Sequence, residues 1–468
     1  MSVKYISTRG KAPHLDFGDV LLAGLAADGG LYVPDRWPAL SPEALSGSPG
    51  RGDYADLASE VMWPFVDGAY PRSRFDEMVR NAYAGFDHPE VVPMVELGDG
   101  LWLMELFHGP TLAFKDIALQ LVGRLFDEEL ARRGERVTIV GATSGDTGSA
   151  AIEAVRDREN IEIVFLHPHG RISEVQRRQM TTVDSANVHC VAIEGTFDDC
   201  QDLVKAMFSD AAFRAEHRLS AANSINWARV MAQTVYYVAA VTRYGLEQVS
   251  FSVPTGNFGN VLAGHVARQM GLPVHRFVVA SNRNDILTQF FTTGSMAISE
   301  VHPTMSPSMD IQVSSNLERL LFELQDRDGI RTAEMLEDFR ATGEMRIDAR
   351  ISSDLNRSWS GVRVDEDETT STIAGLYRDT GMIIDPHTAV GLAAAQRSKQ
   401  DSDGPMVVLA TAHPAKFGDA VEAAIGIRPP LPPALAELAD RPERCQRLPN
   451  DLAAVKAHVA RCSGQGSG

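Results

Sequence analysis

The chain has few cysteines, and none of them is placed to form a recognisable site. Its four cysteines, Cys190, Cys200, Cys445 and Cys462, are spread through 468 residues without a CxxC pair or a Cys/His cluster. This spacing argues against a structural zinc site and against a disulfide framework. We therefore predict no metal site and a reducing, cytoplasmic environment.

Basic residues and long apolar runs are also scarce. Lys and Arg number 44 against 62 Asp and Glu, which gives a net charge of −18 at pH 7. A surface of this charge repels polyanions, so neither nucleic acid nor an anionic membrane is an expected partner. No apolar run reaches the roughly 18 residues that a membrane helix needs. The first residues also lack the apolar segment of a secretion signal.

The chain does contain a regular alternation of strand and helix patterns. Its length suggests two or three domains. From about residue 115 onward, short apolar runs alternate with amphipathic stretches, which predicts parallel sheets covered by helices on both faces. The predicted helices are 55–66, 73–85, 115–133, 148–156, 198–209, 226–244 and one starting at 261, and the predicted strands are 137–140, 161–166, 188–193, 249–253 and 406–410. Residues 329–372 are rich in charge, and we expect helices outside the sheets there.

Three polar loops follow predicted strands, at the edge where open α/β sheets bind ligands. The first, Gly-Ala-Thr-Ser-Gly-Asp-Thr-Gly at 141–148, combines glycines with the start of a helix. That arrangement suits a carboxylate or a phosphate. A purely structural turn is the alternative.

Other nucleotide-binding loops fit this first segment poorly. Gly141, Gly145 and Gly148 resemble a loose dinucleotide-binding fingerprint, the mark of an NAD(P)-binding oxidoreductase. The next predicted strand ends at His167 and Pro168, however, where that fold places an acidic residue for the ribose. A P-loop is excluded because no Gly-Lys-Ser/Thr follows the glycines.

The second and third loops offer neutral groups. Residues 254–260, Pro-Thr-Gly-Asn-Phe-Gly-Asn, let the backbone wrap a phosphate with N–H donors and without a lysine. An ordinary left-handed turn is the alternative. Thr411 follows the last predicted strand, where its hydroxyl either faces a heteroatom of a bound ring or caps the next helix.

Lys115 lies between apolar residues in the stretch 108–116, at the start of an apolar helix. Desolvation and the helix dipole both disfavour a cation there. A neutral amine is what Schiff-base formation requires. A solvated lysine without a role is the alternative.

Taken together, these segments resemble the threonine synthases, within the tryptophan-synthase-β-like pyridoxal-phosphate (PLP) enzymes of fold type II. The resemblance covers nearly the whole chain. It is carried by 5–10 (YISTRG), 25–34 (LAADGGLYVP), 107–116 (FHGPTLAFKD), 144–148 (SGDTG) and 256–260 (GNFGN).

The resemblance implies a fold and an activity. The fold is two parallel-sheet, three-layer α/β/α domains plus a mixed α/β N-terminal segment. We expect an N-terminal segment at 1–100, a smaller mobile domain at 101–245 carrying the lysine and the substrate-carboxylate loop, and a large PLP-binding domain at 246–468. The implied reaction converts O-phospho-L-homoserine and water into L-threonine and phosphate, in a monomer or homodimer.

The resemblance also assigns roles to individual residues. Lys115 binds the cofactor covalently and acts as the catalytic base, and Thr411 faces the pyridine nitrogen. The residues implied for the cofactor phosphate are Gly256, Asn257, Phe258, Gly259 and Asn260. Those implied for the substrate carboxylate are Ser144, Gly145, Asp146 and Thr147. We expect Asp146 to act through its backbone N–H and by capping the helix, since its charge would repel a carboxylate.

The substrate phosphate is a less specific assignment. Asn226 and Arg229 lie three residues apart on one helix face, and an arginine can bind phosphate through two parallel hydrogen bonds. A surface arginine in a salt bridge is the alternative for Arg229. For His387 we expect a structural role.

Three other functions remain open at this point. A related PLP lyase, such as a threonine dehydratase or a cysteine synthase, shares the lysine and the loops. An NAD(P)-binding oxidoreductase would bind nicotinamide. A non-catalytic threonine-synthase-like protein would bind PLP or phosphate esters without making threonine.

Overall fold

The computed structural model describes residues 2–45, 53–143, 145–221, 224–246, 248–400 and 404–464. In chain order the strands are β1 (Tyr5–Ser7), β2 (Tyr32–Pro34), β3 (Met94–Gly98), β4 (Leu101–Glu105), β5 (Val137–Ala142), β6 (Ile161–Pro168), β7 (Val188–Glu194), β8 (Leu219–Ser220), β9 (Val249–Pro254), β10 (Val274–Ser281), β11 (Ser295–Ala297), β12 (Glu344–Arg346), β13 (Trp359–Arg363), β14 (Met406–Ala410) and β15 (Gln446–Pro449).

The α-helices are α1 (Phe17–Ala23), α2 (Pro42–Leu45), α3 (Tyr54–Val66), α4 (Arg72–Tyr83), α5 (Lys115–Arg133), α6 (Asp146–Val155), α7 (Glu174–Thr181), α8 (Phe197–Ser209), α9 (Ala211–Glu216), α10 (Trp227–Tyr244), α11 (Gly259–Gln269), α12 (Ile286–Thr293), α13 (Leu317–Leu324), α14 (Gly329–Thr342), α15 (Ala349–Leu355), α16 (Glu366–Thr380), α17 (Pro386–Ser398), α18 (Gly418–Ile425), α19 (Pro433–Ala436) and α20 (Leu452–Gly464). Short 3₁₀ helices are formed by Pro307–Met309, Pro414–Phe417 and Glu437–Asp440.

The chain divides into two compact units, and each is discontinuous in sequence. Unit 1 comprises Met1–His108 and Ser224–Pro429, and unit 2 comprises Gly109–Asn223 and Pro430–Gly468. The boundaries expected from the sequence, at residues 100 and 245, remain a prediction about functional segments. No helix within the described ranges is long and apolar enough to span a membrane.

Unit 1 is built on a six-stranded sheet in the order β13-β10-β9-β14-β4-β3. The strands run parallel except β3, which pairs with β4 in antiparallel fashion. Every residue of β9 and β14 is buried, because helices cover both faces and the strands are continuous apolar runs. Helix α17 packs on β9, β10 and β14, while α10 packs on α3 and α11.

The N-terminal residues are anchored to unit 1 by a buried ion pair. Strands β1 and β2 form an antiparallel pair. Arg9, just after β1, contacts Glu318 of α13 with an Nη2–Oε2 distance of 3.0 Å, and Thr8 donates to the same carboxylate at 2.6 Å. These contacts fix the first segment of the chain against a helix about three hundred residues later.

Unit 2 contains a five-stranded parallel sheet in the order β15-β7-β6-β5-β8. Its edge strand β15 comes from the last part of the chain. Helices α8 and α20 pack against this sheet, and their apolar side chains share a core cluster with β6 and β7. The alternation of strands and helices predicted from the sequence is confirmed here.

One element prediction is wrong. Residues 329–372 contain β13, which pairs with β10 along the edge of the unit 1 sheet, as well as three helices and β12. The segment has little strand patterning because β13 is an edge strand of five residues whose only fully buried side chain is that of Trp359. The helices predicted around it are present.

Candidate active site

Lys115 is the first residue of α5 in unit 2, and only 8% of it is exposed. A tight turn fixes its position. The carboxylate of Asp116 accepts hydrogen bonds from the Thr111 backbone N–H (2.8 Å) and hydroxyl (2.6 Å). Gly109 is required beside this turn, because a Cβ there would lie 2.5 Å from the Cβ of Asp116. The lysine backbone is therefore held at a defined helix start.

The side chain of Lys115 lies beside a carboxylate. Its Nζ is 3.6 Å from Oδ2 of Asp146 and 5.7 Å from the centre of the Phe114 ring. Burial and the helix dipole disfavour the ammonium form, whereas Asp146 stabilises it. The lysine is buried, as expected from its apolar neighbours in the sequence, but the carboxylate beside it was not expected.

Asp146 is oriented by a residue that the sequence reading missed. Gln176 of α7 donates from Nε2 to Oδ1 of Asp146 at 2.9 Å, which leaves Oδ2 toward the lysine. Asp146 was expected to cap α6, but it does not. The cap position belongs to Gly145, whose φ of 145° is closed to most side chains, and Asp146 is the first helical residue.

The rest of this loop is closed by Thr143. Its hydroxyl accepts hydrogen bonds from the backbone N–H groups of Gly145 (3.0 Å) and Gly148 (2.9 Å). A Cβ on Gly145 would lie 2.5 Å from the Gln176 side chain, so the loop packs directly on α7. Ser144, also assigned to the substrate carboxylate, lies outside the described residues. The half-buried Thr147 side chain has no hydrogen-bond partner in the described part of the chain.

In unit 1, the loop between β9 and α11 forms a compact cradle. Phe258 adopts a left-handed conformation (φ 63°) and is buried, with its ring stacked on Phe291 and Trp359. Gly256 lies so close to the Ser308 carbonyl that a Cβ would be 2.5 Å from its oxygen. The stacking supports a backbone shape that phenylalanine rarely adopts.

This cradle presents hydrogen-bond donors to an anion. Within the described ranges, no protein acceptor bonds to the backbone N–H groups of residues 256–260, which lead into the N terminus of α11. Oδ1 of Asn260 accepts from the hydroxyls of Tyr236 (2.5 Å) and Tyr237 (2.9 Å). Its Nδ2 is buried and without a partner. A phosphate group fits this set of donors, so the loop is suited to the cofactor that the resemblance implies.

Two hydrogen-bonded side chains, those of Asn316 and Arg319, support the cradle. The carbonyl of Asn257 accepts from the backbone N–H (3.2 Å) and Nδ2 (3.0 Å) of Asn316. Arg319 donates in turn to Oδ1 of Asn316 (2.5 Å) and to the carbonyls of Tyr32 and Ile225. Burial lowers the pKa of Arg319 to about 9, with Glu318 opposing the shift. Only the i, i+3 spacing of Asn316 and Arg319 marks this pair in the sequence.

Thr411 lies at the same edge of the sheet as this cradle. It follows β14, the neighbour of β9, and is buried. Its backbone N–H donates to the Thr388 hydroxyl at 3.3 Å, and that hydroxyl donates to Asp385. The alternative that Thr411 caps the next helix is wrong, because His413 caps it by accepting from the Ala415 N–H at 3.1 Å.

His387, at the start of α17, has a structural role as expected. Its Nε2 accepts from the Ser308 backbone N–H at 3.2 Å, and its Nδ1 lies 2.9 Å from Asp385. The ring also packs against Phe417. These contacts brace the segment that passes behind Gly256.

Arg229 of α10 is a buried cation without a counterion. Its Nε and Nη1 have no hydrogen-bond partner, and no carboxylate pairs with it among the described residues. Burial lowers its pKa to about 10. The alternative of a surface arginine in a salt bridge is therefore wrong. A charge left unpaired in the interior is costly, and anion-binding sites are one place where it occurs.

Asn226 has protein partners on both amide atoms. Its Oδ1 caps α10 by accepting from the Ala228 N–H at 3.0 Å, and its Nδ2 donates to the Leu21 carbonyl at 2.8 Å. Its assignment to the substrate phosphate stays a prediction. Arg229 shares a helix face with Tyr236, which holds Asn260. The seven-residue spacing sets them about 10 Å apart along α10.

The chain matches known proteins along nearly its whole length. Three family descriptions fit it: "Threonine synthase N terminus" at residues 4–83, "Pyridoxal-phosphate dependent enzyme" at 92–353 and "Threonine synthase, C-terminal" at 388–459. It is 52% identical over 467 residues to a threonine synthase of Pseudomonas aeruginosa, covering 99% of both chains. It is 44% identical to that of Corynebacterium glutamicum, over 97% of this chain and 98% of the relative.

A solved structure shares the fold. A PLP-bound threonine synthase from Brucella melitensis superposes with a TM-score of 0.96 at 49% identity, covering 99% of this chain and 100% of the other. The fold is therefore the type II fold of PLP enzymes, with parallel sheets between helices.

Proposed function

Because the chain belongs to the threonine synthase family of PLP-dependent enzymes, we propose that it converts O-phospho-L-homoserine and water into L-threonine and phosphate. The observation that carries this proposal is that unit 1 contains two separate sets of unpartnered donors, each suited to a phosphate. One is the neutral N–H cradle at 256–260, and the other is the buried guanidinium of Arg229.

Two such groups match a reaction in which both cofactor and substrate carry a phosphate. The cradle is suited to the phosphate of PLP, since it offers backbone donors and the unpartnered Nδ2 of Asn260. Arg229 is left for the phosphate of the substrate, where its unpaired charge would be neutralised. A lyase whose substrate carries no phosphate would leave this cation unpaired.

Lys115 is the catalytic residue in this proposal. PLP, when bound, supplies an electron sink for the pair left on the substrate Cα. Lys115 is the residue that would hold the cofactor through its amine, and the same amine, once free, would accept the Cα proton as a general base. Asp146 lies 3.6 Å from Nζ and therefore holds the amine in place between proton transfers.

The remaining loop residues orient the reactants. We assign the substrate carboxylate to the loop of Ser144, Gly145, Asp146 and Thr147, through its N–H and hydroxyl donors. Thr411 is assigned to the pyridine nitrogen, where a neutral hydroxyl does not force protonation of the ring. In the proposed reaction, water adds to Cβ only after phosphate has left Cγ. The site therefore has to exclude water during the earlier steps.

The location and assembly of the protein are part of the same proposal. We propose a cytoplasmic enzyme with a small-molecule substrate, acting as a monomer or homodimer without a nucleic-acid or membrane partner. The net charge of −18 supports this, since it disfavours polyanionic surfaces.

The test is product analysis with PLP-loaded protein and O-phospho-L-homoserine. Threonine and phosphate formed in equal amounts support the proposal. Phosphate with 2-oxobutanoate would show elimination without controlled addition of water. Protein that binds PLP but releases no phosphate would overturn the proposed reaction and favour a non-catalytic binding protein. The Lys115→Ala variant should form no threonine, and measurable turnover by it would also contradict the assignment.

A further inference from the structure

A second cluster of reactive side chains lies in unit 2, on residues that play no part in the proposed reaction. Cys462 and His458 lie one turn apart on α20, with 3.5 Å between Sγ and Nε2. The rings of His458 and His189 of β7 are 6.4 Å apart, nearly perpendicular. Nε2 of His189 is 3.1 Å from Oε2 of Glu162 on β6.

The hydrogen bonds determine where the protons lie. Arg461 faces Nδ1 of His458 at 3.4 Å, and because arginine only donates, this nitrogen must be unprotonated when His458 is neutral. Its proton is then on Nε2, directed at the sulfur of Cys462. His189 likewise directs Nε2–H at Glu162, which favours the imidazolium form.

Two imidazoles, those of His189 and His458, favour the thiolate of Cys462. Helix α8 packs Cys200, Leu203 and Met207 into the core that it shares with Cys462. Arg136, 3.7 Å from Glu162, adds a further positive charge on the far side of that carboxylate. The sulfur has two imidazole neighbours, and the carboxylate of Glu162 is paired with one of them, His189.

Among the other three cysteines, Cys445 has one imidazole neighbour, with 3.5 Å between its Sγ and Nε2 of His167, but its pKa is raised rather than lowered. Burial raises the pKa of Cys200 to about 11 and raises those of Cys190 and Cys445 as well. Burial also acts to raise the pKa of Cys462, but His189 and His458 outweigh it and lower the pKa to about 7. Cys462 and His189 thus resemble the thiolate–imidazolium pairs of reactive cysteines.

A metal ion does not account for the cluster. In the part of the chain that the structure describes, no group of three or more His, Cys, Asp or Glu side chains is arranged to hold one. The two imidazole rings lie 6.4 Å apart and nearly perpendicular to each other. This arrangement fits two rings that act on one sulfur better than two rings that bind one metal ion.

We propose that Cys462 is a peroxide-sensitive thiolate, activated by His189 and His458 and oxidised to a sulfenic acid. The thiolate sulfur attacks one oxygen of a hydroperoxide, so that an S–O bond forms and the O–O bond breaks. The bonding pair leaves with the second oxygen, which takes a proton from the solvent or the imidazolium to give water or an alcohol. Sulfur is oxidised and the peroxide is reduced, with no other reactant.

The position of Cys462 gives this oxidation a structural effect. Only 4% of the residue is exposed, and it packs with Val455 and Val459 in the apolar core beneath α20. The side chains of its neighbours His189 and Glu162 are 16% and 12% exposed, so the cluster is not fully enclosed. An added oxygen has to be desolvated or has to displace α20, and the helix should loosen.

The test compares the four thiols of the native holoenzyme by peptide mass spectrometry. Iodoacetamide alkylation is followed from pH 5 to pH 10, and sulfenic acid formed by hydrogen peroxide is trapped with a cyclic 1,3-dione. Cys462 should alkylate with a midpoint near pH 7 and should be the first cysteine trapped. In His189→Gln the midpoint should rise toward 9, and the rate at pH 7 should fall severalfold, since thiolate content falls faster than nucleophilicity rises. Cys190, Cys200 and Cys445 are the internal controls.

The outcomes separate the proposal from a buried, inert thiol. A Cys462 that stays unmodified while Cys445 reacts would overturn it, as would a midpoint unchanged by His189→Gln. If His189→Gln does not fold, His458→Gln gives the same comparison. Cys462→Ser should abolish trapping at this helix while leaving turnover under reducing conditions unchanged. In the wild type, trapping confined to the other cysteines would contradict the assignment.

Discussion

The hydroxyl of Tyr236 donates a hydrogen bond of 2.5 Å to Oδ1 of Asn260. With the second donor, Tyr237, it fixes which way the amide faces, so the Nδ2 of Asn260 must face away from α10. Two residues of one helix thereby set the direction of a donor at the start of the next. The orientation of the cradle is built into the packing of α10 on α11.

The first prediction concerns Asn260→Asp. This change preserves the oxygen that accepts from the tyrosines but replaces the Nδ2 donor with a negatively charged oxygen facing the cradle. We expect the dissociation constant for PLP to rise at least a hundredfold, because a carboxylate repels the cofactor phosphate. Absorbance titration of the apoprotein with PLP measures it. Tyr236→Phe, which loses one hydroxyl but no donor to the phosphate, should weaken binding by tenfold or less. Equal effects of the two changes would contradict the assigned orientation.

The second prediction concerns Arg229→Met. Burial lowers the pKa of Arg229 by more than two units, to about 10. A shift of that size corresponds to a cost of about 3 kcal/mol for retaining the charge. The variant should therefore melt at a higher temperature than the wild type without ligand, while KM for O-phospho-L-homoserine rises at least tenfold. Thermal melts with and without inorganic phosphate, together with steady-state kinetics, measure both effects. Arg243→Met, on the exposed end of the same helix, is the matched control and should leave KM unchanged.

The third prediction separates Asp146 from Gln176. Asp146 contacts both Lys115 and Gln176, whereas Gln176 contacts Asp146 and not the lysine. Asp146→Asn should lower kcat at least tenfold with a smaller effect on KM. Gln176→Leu should lower kcat less. Because Gln176 is a positioning residue that acts through Asp146, adding Gln176→Leu to Asp146→Asn should have little further effect. Additive losses in the double variant would show that Gln176 acts independently.

The fourth prediction concerns pH and α20. Although burial lowers it, contacts with Cys462 and Glu162 raise the pKa of His189 from 6.5 to about 9. That contribution to stability is complete below pH 6.5 and is lost as pH rises through 9. The pKa of Cys462 is lowered from 9.0 to about 7, so its contribution is present above pH 9 and is lost as pH falls through 7.

Both charges coexist only between about pH 7 and pH 9. The stability advantage of the wild type over Cys462→Ser should therefore peak in that window, at roughly 2 kcal/mol for a coupled pair. Hydrogen exchange of α20, corrected for the intrinsic pH dependence of exchange, is the measurement. Tryptophan fluorescence does not serve, because all five tryptophans lie in unit 1. An advantage that is flat across pH would contradict the pairing.

The sequence predicted the elements with strong periodicity and missed contacts that depend on tertiary packing. The strand at 249–253 and the helix starting at 115 were recognisable because their apolar patterns are continuous. Strand β13 was not, since an edge strand is specified by its partner β10 rather than by its own composition.

The candidate site was predictable where the chemistry is local. The glycine-rich loops and Lys115 stand out in the sequence, but Gln176 and Arg319 do not. Both act on groups more than 25 residues away in the chain, through hydrogen bonds that only folding creates. Arg229 was found for its spacing from Asn226, yet its most informative property is that it is buried and unpaired, which no pattern reveals.

The pairing of β4 with β14 has a consequence for synthesis of the protein. Leu103 lies opposite Val408 in a central position of the unit 1 sheet, although about three hundred residues separate them. At a translation rate of about 5–20 residues per second, β4 leaves the ribosome roughly 15–60 s before its partner exists. During that interval its apolar edge is open to wrong partners, so the nascent chain should depend on chaperones until β14 has emerged.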